Sequence, residues 1–181
     1  MRKHNKVGGG AKTNKNGLQF ERDTDFIEAL KKLDHLRIVG KTVFFRNKEV
    51  ALVTEKHSFY REFLIPQGIN YKNIISSKLL PDTAVINHKT KDVFIIEKKY
   101  QSGHGSVSEK LQTTDFKLGQ YKKLLKDTEY KAHFSWLLNQ SYFDQKTFED
   151  VYTHIEKQGG RYYFDFIPIK DIKLDESSLE R

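Results

Sequence analysis

Leu79-Leu80-Pro81-Asp82-Thr83-Ala84-Val85-Ile86, followed after a polar turn by Val93-Phe94-Ile95-Ile96-Glu97-Lys98-Lys99, reads as two strands of a hairpin. The turn, Asn87 to Asp92, has the composition and length of a hairpin connection. Antiparallel pairing across it brings Asp82, at the start of one strand, close to Glu97, near the end of the other. Strand side chains alternate, so Glu97 and Lys99 project from one face and Lys98 from the opposite one. Two carboxylates and an ammonium group thus meet at one edge of a sheet.

Outward from this hairpin, the apolar spacing of Leu18, Phe20, Phe26, Ile27, Leu30 and Leu33 predicts a first helix from Gly17 to Leu33, with Asn16 as N-cap. Strands are expected at Arg37 to Phe45 and Val50 to Thr54, separated by Arg46-Asn47-Lys48. Lys56 to Leu80, which holds Pro66 and Gly68, combines a short helix with irregular chain. Downstream come a helix from Ser108 to Lys126, a strand from His133 to Leu138, a helix from Thr147 to Gln158 stopped by Gly159-Gly160, and a strand from Tyr162 to Ile167. The fold class is α/β, more closely α+β: one mixed sheet flanked by helices.

The 181 residues suffice for one core. Residues 1–16 read as a flexible basic arm, 17–174 as a single domain and 175–181 as a charged tail. A formal charge of +8 favours a polyanionic partner. The absence of cysteine excludes disulfides, thiolate metal sites and a cysteine nucleophile, and fits a cytoplasmic location. No apolar run approaches the roughly 18 residues of a membrane span. The Gly103-His104-Gly105-Ser106 loop does not match the phosphate-loop pattern, so no nucleotide cofactor is expected. Of the seven histidines, His88 sits in a turn without a partner His at metal-ligand spacing and most of the others read as surface residues, while Trp136 and the aromatic run from Tyr162 to Phe166 fit core packing better than base stacking.

Paired carboxylate oxygens suit Mg²⁺, which keeps several waters and takes phosphate oxygens as further ligands. Taken alone, Asp82 could equally cap a turn while Glu97 and Lys99 are solvated residues at a strand end. The surrounding pattern is more specific. Pro81-Asp82, then fifteen residues later Glu97-Lys98-Lys99 closing a hydrophobic strand, resembles the PD-(D/E)xK nuclease superfamily. That family includes type II restriction endonucleases, mismatch nickases and junction resolvases.

The resemblance implies a restriction-endonuclease-like core, with Asp82 and Glu97 as metal ligands and Lys99 serving the attacking water. It also implies a further acid from the first helix, matched by Glu21, whose alternative role is to complement the helix dipole. The segment Gly105 to Phe116 resembles the loop and helix start after the catalytic lysine in some restriction enzymes, which makes Ser106, Lys110 and Gln112, with Lys98, candidate DNA contacts and Glu109 a candidate for holding the site; His104, a glycine-flanked imidazole beside that site, is a further candidate DNA contact. Ser106-Val107-Ser108-Glu109 also fits a capping box. The expected function is that of a type II restriction endonuclease, hydrolysing double-stranded DNA with Mg²⁺ as a homodimer. A structure-selective or repair nuclease of the junction-resolvase kind and a non-catalytic DNA-binding module are the alternatives.

Overall fold

The computed structural model describes residues 25–103 and 107–180. Seven strands form one sheet in sequence order: β1 (Leu36–Val39), β2 (Thr42–Phe45), β3 (Lys48–Thr54), β4 (Thr83–Asn87), β5 (Asp92–Lys99), β6 (Lys131–Leu138) and β7 (Arg161–Phe164). Neighbours from β1 to β5 run antiparallel, while β5, β6 and β7 are parallel. The sheet is therefore mixed, as the sequence predicts. Parallel pairing needs crossovers, supplied by α3 (Thr114–Leu125) between β5 and β6 and by α5 (Glu149–Lys157) between β6 and β7. α1 (Phe26–Leu30), α2 (Val107–Leu111), α4 (Gln140–Phe143) and α6 (Glu176–Glu180) are short.

Every residue of β4 and the first six of β5 are buried, because apolar layers cover both faces of the central strands. This two-sided burial explains why Val93 to Ile96 is continuously apolar rather than alternating. On the front face Ala84, Ile86, Val93 and Ile95 pack against Leu118, Tyr121 and Leu124 of α3 and Tyr152 and Ile155 of α5. On the back face Val85, Phe94 and Ile96 join Leu30 with Ile172, Leu174 and Leu179 from the C-terminal segment.

Several boundaries differ from those the sequence suggests. The described part of the first helix is only Phe26–Leu30, capped by the Asp25 carboxylate, which accepts from the N–H groups of Ile27 and Glu28; Asn16 and residues 17–24 lie outside the described residues. The stretch from Arg37 to Phe45 is a hairpin folded at Gly40, whose φ of +59° is left-handed and suits glycine. The next turn is two residues long, with Arg46 at φ 48° and Asn47 at φ 62°, the backbone signature of a type I′ hairpin. The helix expected over 108–126 is interrupted at Gln112-Thr113, where the Thr113 and Thr114 hydroxyls donate to the carbonyls of Lys110 and Leu111. β7 ends at Phe164 because Asp165 turns the chain with φ 57°. Residues 176–180, expected within a charged tail, form α6, and its Leu179 is buried in the back layer.

Gly160 closes the turn after α5 with its N–H on the Ile155 carbonyl. A Cβ there would fall 2.5 Å from the Thr114 methyl, so a side chain would push α3 away from the sheet.

The C-terminal segment is fastened at the other end of β5. Asp92 is buried and accepts from His133 Nε2 and Lys173 Nζ, each at 2.6 Å. Burial opposes its charge, but the hydrogen bonds from Lys173 and His133 outweigh that and hold the carboxyl below its ordinary range. A lowered folded-state pKa stabilises above the unfolded value, about 3.9, and the contribution disappears as pH falls through the folded value. Asp92→Asn is expected to cost about 2 kcal/mol at pH 7, a fall of roughly 4–8 °C in Tm, and to flatten the acid limb of the Tm curve. Thermal melts from pH 2 to 7 check this; a variant curve merely parallel to the wild type would refute the assignment.

Candidate active site

Thr83 pairs with Ile96, and the same register carried one residue further sets Asp82 opposite Glu97. Both lie on the front face with Lys99, whereas Lys98 continues the back-face alternation of Phe94 and Ile96. The Lys98 N–H donates to Asp82 Oδ2 at 2.9 Å, so the backbone of one strand fixes the carboxylate of its neighbour. Lys99 Nζ stands 3.6 Å from Asp82 Oδ2 and 3.4 Å from Glu97 Oε2, and donates to the Lys98 carbonyl at 2.8 Å. Asp82, Glu97 and Lys99 therefore meet at one end of the sheet.

Local structure holds the ends of these strands. The Tyr60 hydroxyl donates to the Leu79 carbonyl at 2.8 Å and accepts the Leu79 N–H at 3.1 Å, tying down the chain that leads into Pro81-Asp82. Burial pushes the Tyr60 phenol up to about 12, so it stays protonated and able to donate. Lys56 N–H donates to the Pro81 carbonyl at 2.7 Å. Beyond Lys99, Gln101 and Asn139 exchange hydrogen bonds, backbone N–H to Oδ1 at 2.8 Å and Nδ2 to carbonyl at 3.0 Å, which clamps β5 to β6.

The electrostatics are compensated. The Glu97 side chain is only 8 % exposed, and Lys117 of α3 reaches its Oε2 at 2.9 Å. A carboxylate this buried requires such partners, since desolvation of an unpaired charge costs several kcal/mol. Both ammonium groups lie over the Trp136 indole, Lys99 at 5.5 Å and Lys117 at 5.0 Å from the ring centre. The Trp136 N–H donates to Thr114 Oγ1 at 2.8 Å, locking the platform to the start of α3. Tyr121, one turn beyond Lys117, is fully buried, and its hydroxyl has no hydrogen-bond partner among the described residues. Burial first, then the negative charges of Glu97 and Asp82, raise its pKa far above the ordinary phenol value.

Of the other residues singled out from sequence, Glu21, His104 and Ser106 lie outside the described residues. Lys110 and Gln112 are exposed, and no hydrogen bond or ion pair joins either to Asp82, Glu97 or Lys99. Among the described residues no group of three or more His, Cys, Asp or Glu gathers, so the site itself offers two carboxylates. Lys117, Tyr60 and Asn139 were not singled out, because each reaches the site through tertiary packing.

The profile of the PD-(D/E)XK nuclease superfamily domain matches residues 34–115, a span that runs from just before β1 to the start of α3 and contains Asp82, Glu97 and Lys99. The match covers 82 of the chain's 181 residues, a little under half. No curated protein and no solved structure matches the chain. The mixed sheet with helices is consistent with the PD-(D/E)XK fold. A domain of this superfamily generally implies nuclease activity, DNA binding and dependence on a divalent metal. Two carboxylates held by amide and ammonium donors form an oxygen-only donor set, which fits a hard divalent cation. No helix among the described residues is long and apolar enough to cross a membrane.

Proposed function

We propose that the chain is a type II restriction endonuclease, a Mg²⁺-dependent enzyme that hydrolyses double-stranded DNA at a specific sequence. The observation that carries the catalytic part of this reading is the convergence of Asp82, Glu97 and Lys99 on one face at the end of β4 and β5. Asp82 and Glu97 would hold the ion, with Glu21 as a third ligand. Bound there, Mg²⁺ supplies a lowered water pKa and neutralises charge on the phosphodiester. Lys99 would orient the attacking water or screen the scissile phosphate, a role supported by its approach to Asp82, whose carboxylate accepts from the Lys98 N–H.

The excess of 32 Lys and Arg over 24 Asp and Glu supports a phosphate-rich partner. Lys98, His104, Ser106, Lys110 and Gln112 are proposed DNA contacts, and the basic segment 1–16 a proposed arm along the duplex. A two-fold homodimer would match the symmetry of a palindromic site. The nuclease unit is proposed to reach beyond the matched span as far as α6, since Leu30, Leu174 and Leu179 share the back-face core with β4 and β5. The protein is proposed to act in the cytoplasm.

Incubation of plasmid DNA with purified protein and Mg²⁺ tests the reading. Discrete fragments with a common end sequence are expected. Cutting confined to branched substrates would replace it with the junction-resolvase alternative, and duplex binding without any cutting would leave only a DNA-binding module.

A further inference from the structure

Lys117 lies beyond the span matched by the superfamily profile, yet it makes the closest ion pair with the buried Glu97 carboxylate, at 2.9 Å against 3.4 Å for Lys99. The two lysines are anchored differently. Lys99 is also bound to the Lys98 carbonyl and reaches Asp82, so its place is fixed by its own strand. Lys117 comes from the crossover helix, and among the described residues its one ion-pair partner is Glu97. Its side chain is 22 % exposed, and its ammonium group lies over the rings of Trp136 and Phe134, 5.0 and 6.0 Å from their centres. A flexible four-carbon stem lets such an ammonium group leave one partner for another within reach. Tyr121 lies at i+4 on the same helix face, buried, its hydroxyl without a hydrogen-bond partner among the described residues and Glu97 the strongest charge acting on it.

We propose that Lys117 is a resident counter-ion of Glu97, a positioning residue that occupies the carboxylate until a divalent cation displaces it. The proposal rests on the reading of Glu97 as a metal ligand. A positive charge in contact with a ligand oxygen opposes a second positive charge at the same place. Lys117 therefore keeps the buried Glu97 paired in the unloaded site and weakens its affinity for metal.

Mn²⁺ titration of the full chain without DNA, read by the EPR signal of the free ion, tests this. Lys117→Met is expected to bind Mn²⁺ at least about fivefold more tightly than the wild type. Lys117→Arg, which keeps the charge, should stay close to the wild type. Lys122→Met removes the same formal charge from an exposed position on α3 and should change the affinity less than about twofold. The single tryptophan, Trp136, offers a second readout: Mg²⁺ should alter its emission in the wild type and much less in Lys117→Met. Unchanged or weaker Mn²⁺ binding by Lys117→Met, or equal tightening by Lys122→Met, would overturn the proposal. Wild-type affinity in Glu97→Gln would instead overturn the ligand reading on which it rests.

Discussion

Glu97→Gln is expected to abolish metal-dependent DNA cleavage, lowering kcat by about a thousandfold or more, while duplex affinity in EDTA changes less than about threefold. The substitution keeps the shape of the side chain and removes the charge that the proposed chemistry uses. A thousandfold loss corresponds to about 4 kcal/mol of transition-state stabilisation, within the range for an electrostatic group at a reacting phosphate. The contrast with binding decides the matter, because Glu97 is 8 % exposed and offers a duplex little surface to contact. Lys99→Ala should behave alike, with kcat falling and binding largely kept. Quenched-flow single-turnover rates together with fluorescence anisotropy on a labelled duplex separate the two. Cleavage by Glu97→Gln at near wild-type rate would end the assignment of this carboxylate.

The second large effect is on stability. Trp136→Ala is expected to cost about 4 kcal/mol, lowering Tm by roughly 8–16 °C. Trp136 is fully buried between β6 and α3, packs edge-on against Phe134 at 5.2 Å, and hydrogen-bonds Thr114. Its loss leaves a cavity under two ammonium groups and deprives the first turn of α3 of its tie to the sheet. Trp136→Phe keeps most of the volume and loses the hydrogen bond, so about 1–2 kcal/mol is expected. Calorimetric melts check both, and equal losses in the two variants would show that packing contributes little here.

The Asp82 to Lys99 hairpin could be read from sequence because its parts are local. A polar turn sets the register, and strand parity alone assigns Glu97 and Lys99 to one face. Trp136 as core and the glycine stop after α5 were legible for the same reason, each depending on near neighbours in the chain. Lys117 was not, since its approach to Glu97 depends on how α3 docks across the sheet, and no spacing rule links positions 97 and 117. The break before α3 was hidden because Gln112-Thr113 carries no glycine or proline, and only the threonine hydroxyls reveal the lost helical bonds. The first hairpin reads as one β-rich stretch because Gly40-Lys41 interrupts it without a two-residue turn signature of the Asn-Gly kind. Leu179 reads as part of a polar tail because its neighbours are charged, and a single leucine carries no periodicity.

Strand order in this sheet follows chain order, and that has a bearing on how the molecule assembles. The β4–β5 turn spans only residues 88–91, whereas the β3–β4 connection spans 55–82 and the α3 crossover comes later still. Closing the short turn is favoured by about 2 kcal/mol over the longer loop on entropy alone. Asp82 and Glu97 thus become neighbours early in folding, before α3 delivers Lys117. Lys99 comes with the same hairpin and offsets one of the two carboxylate charges, leaving one net negative charge until Lys117 arrives, so the docking of that helix is favoured by charge as well as by its apolar stripe, and low salt should hasten the step.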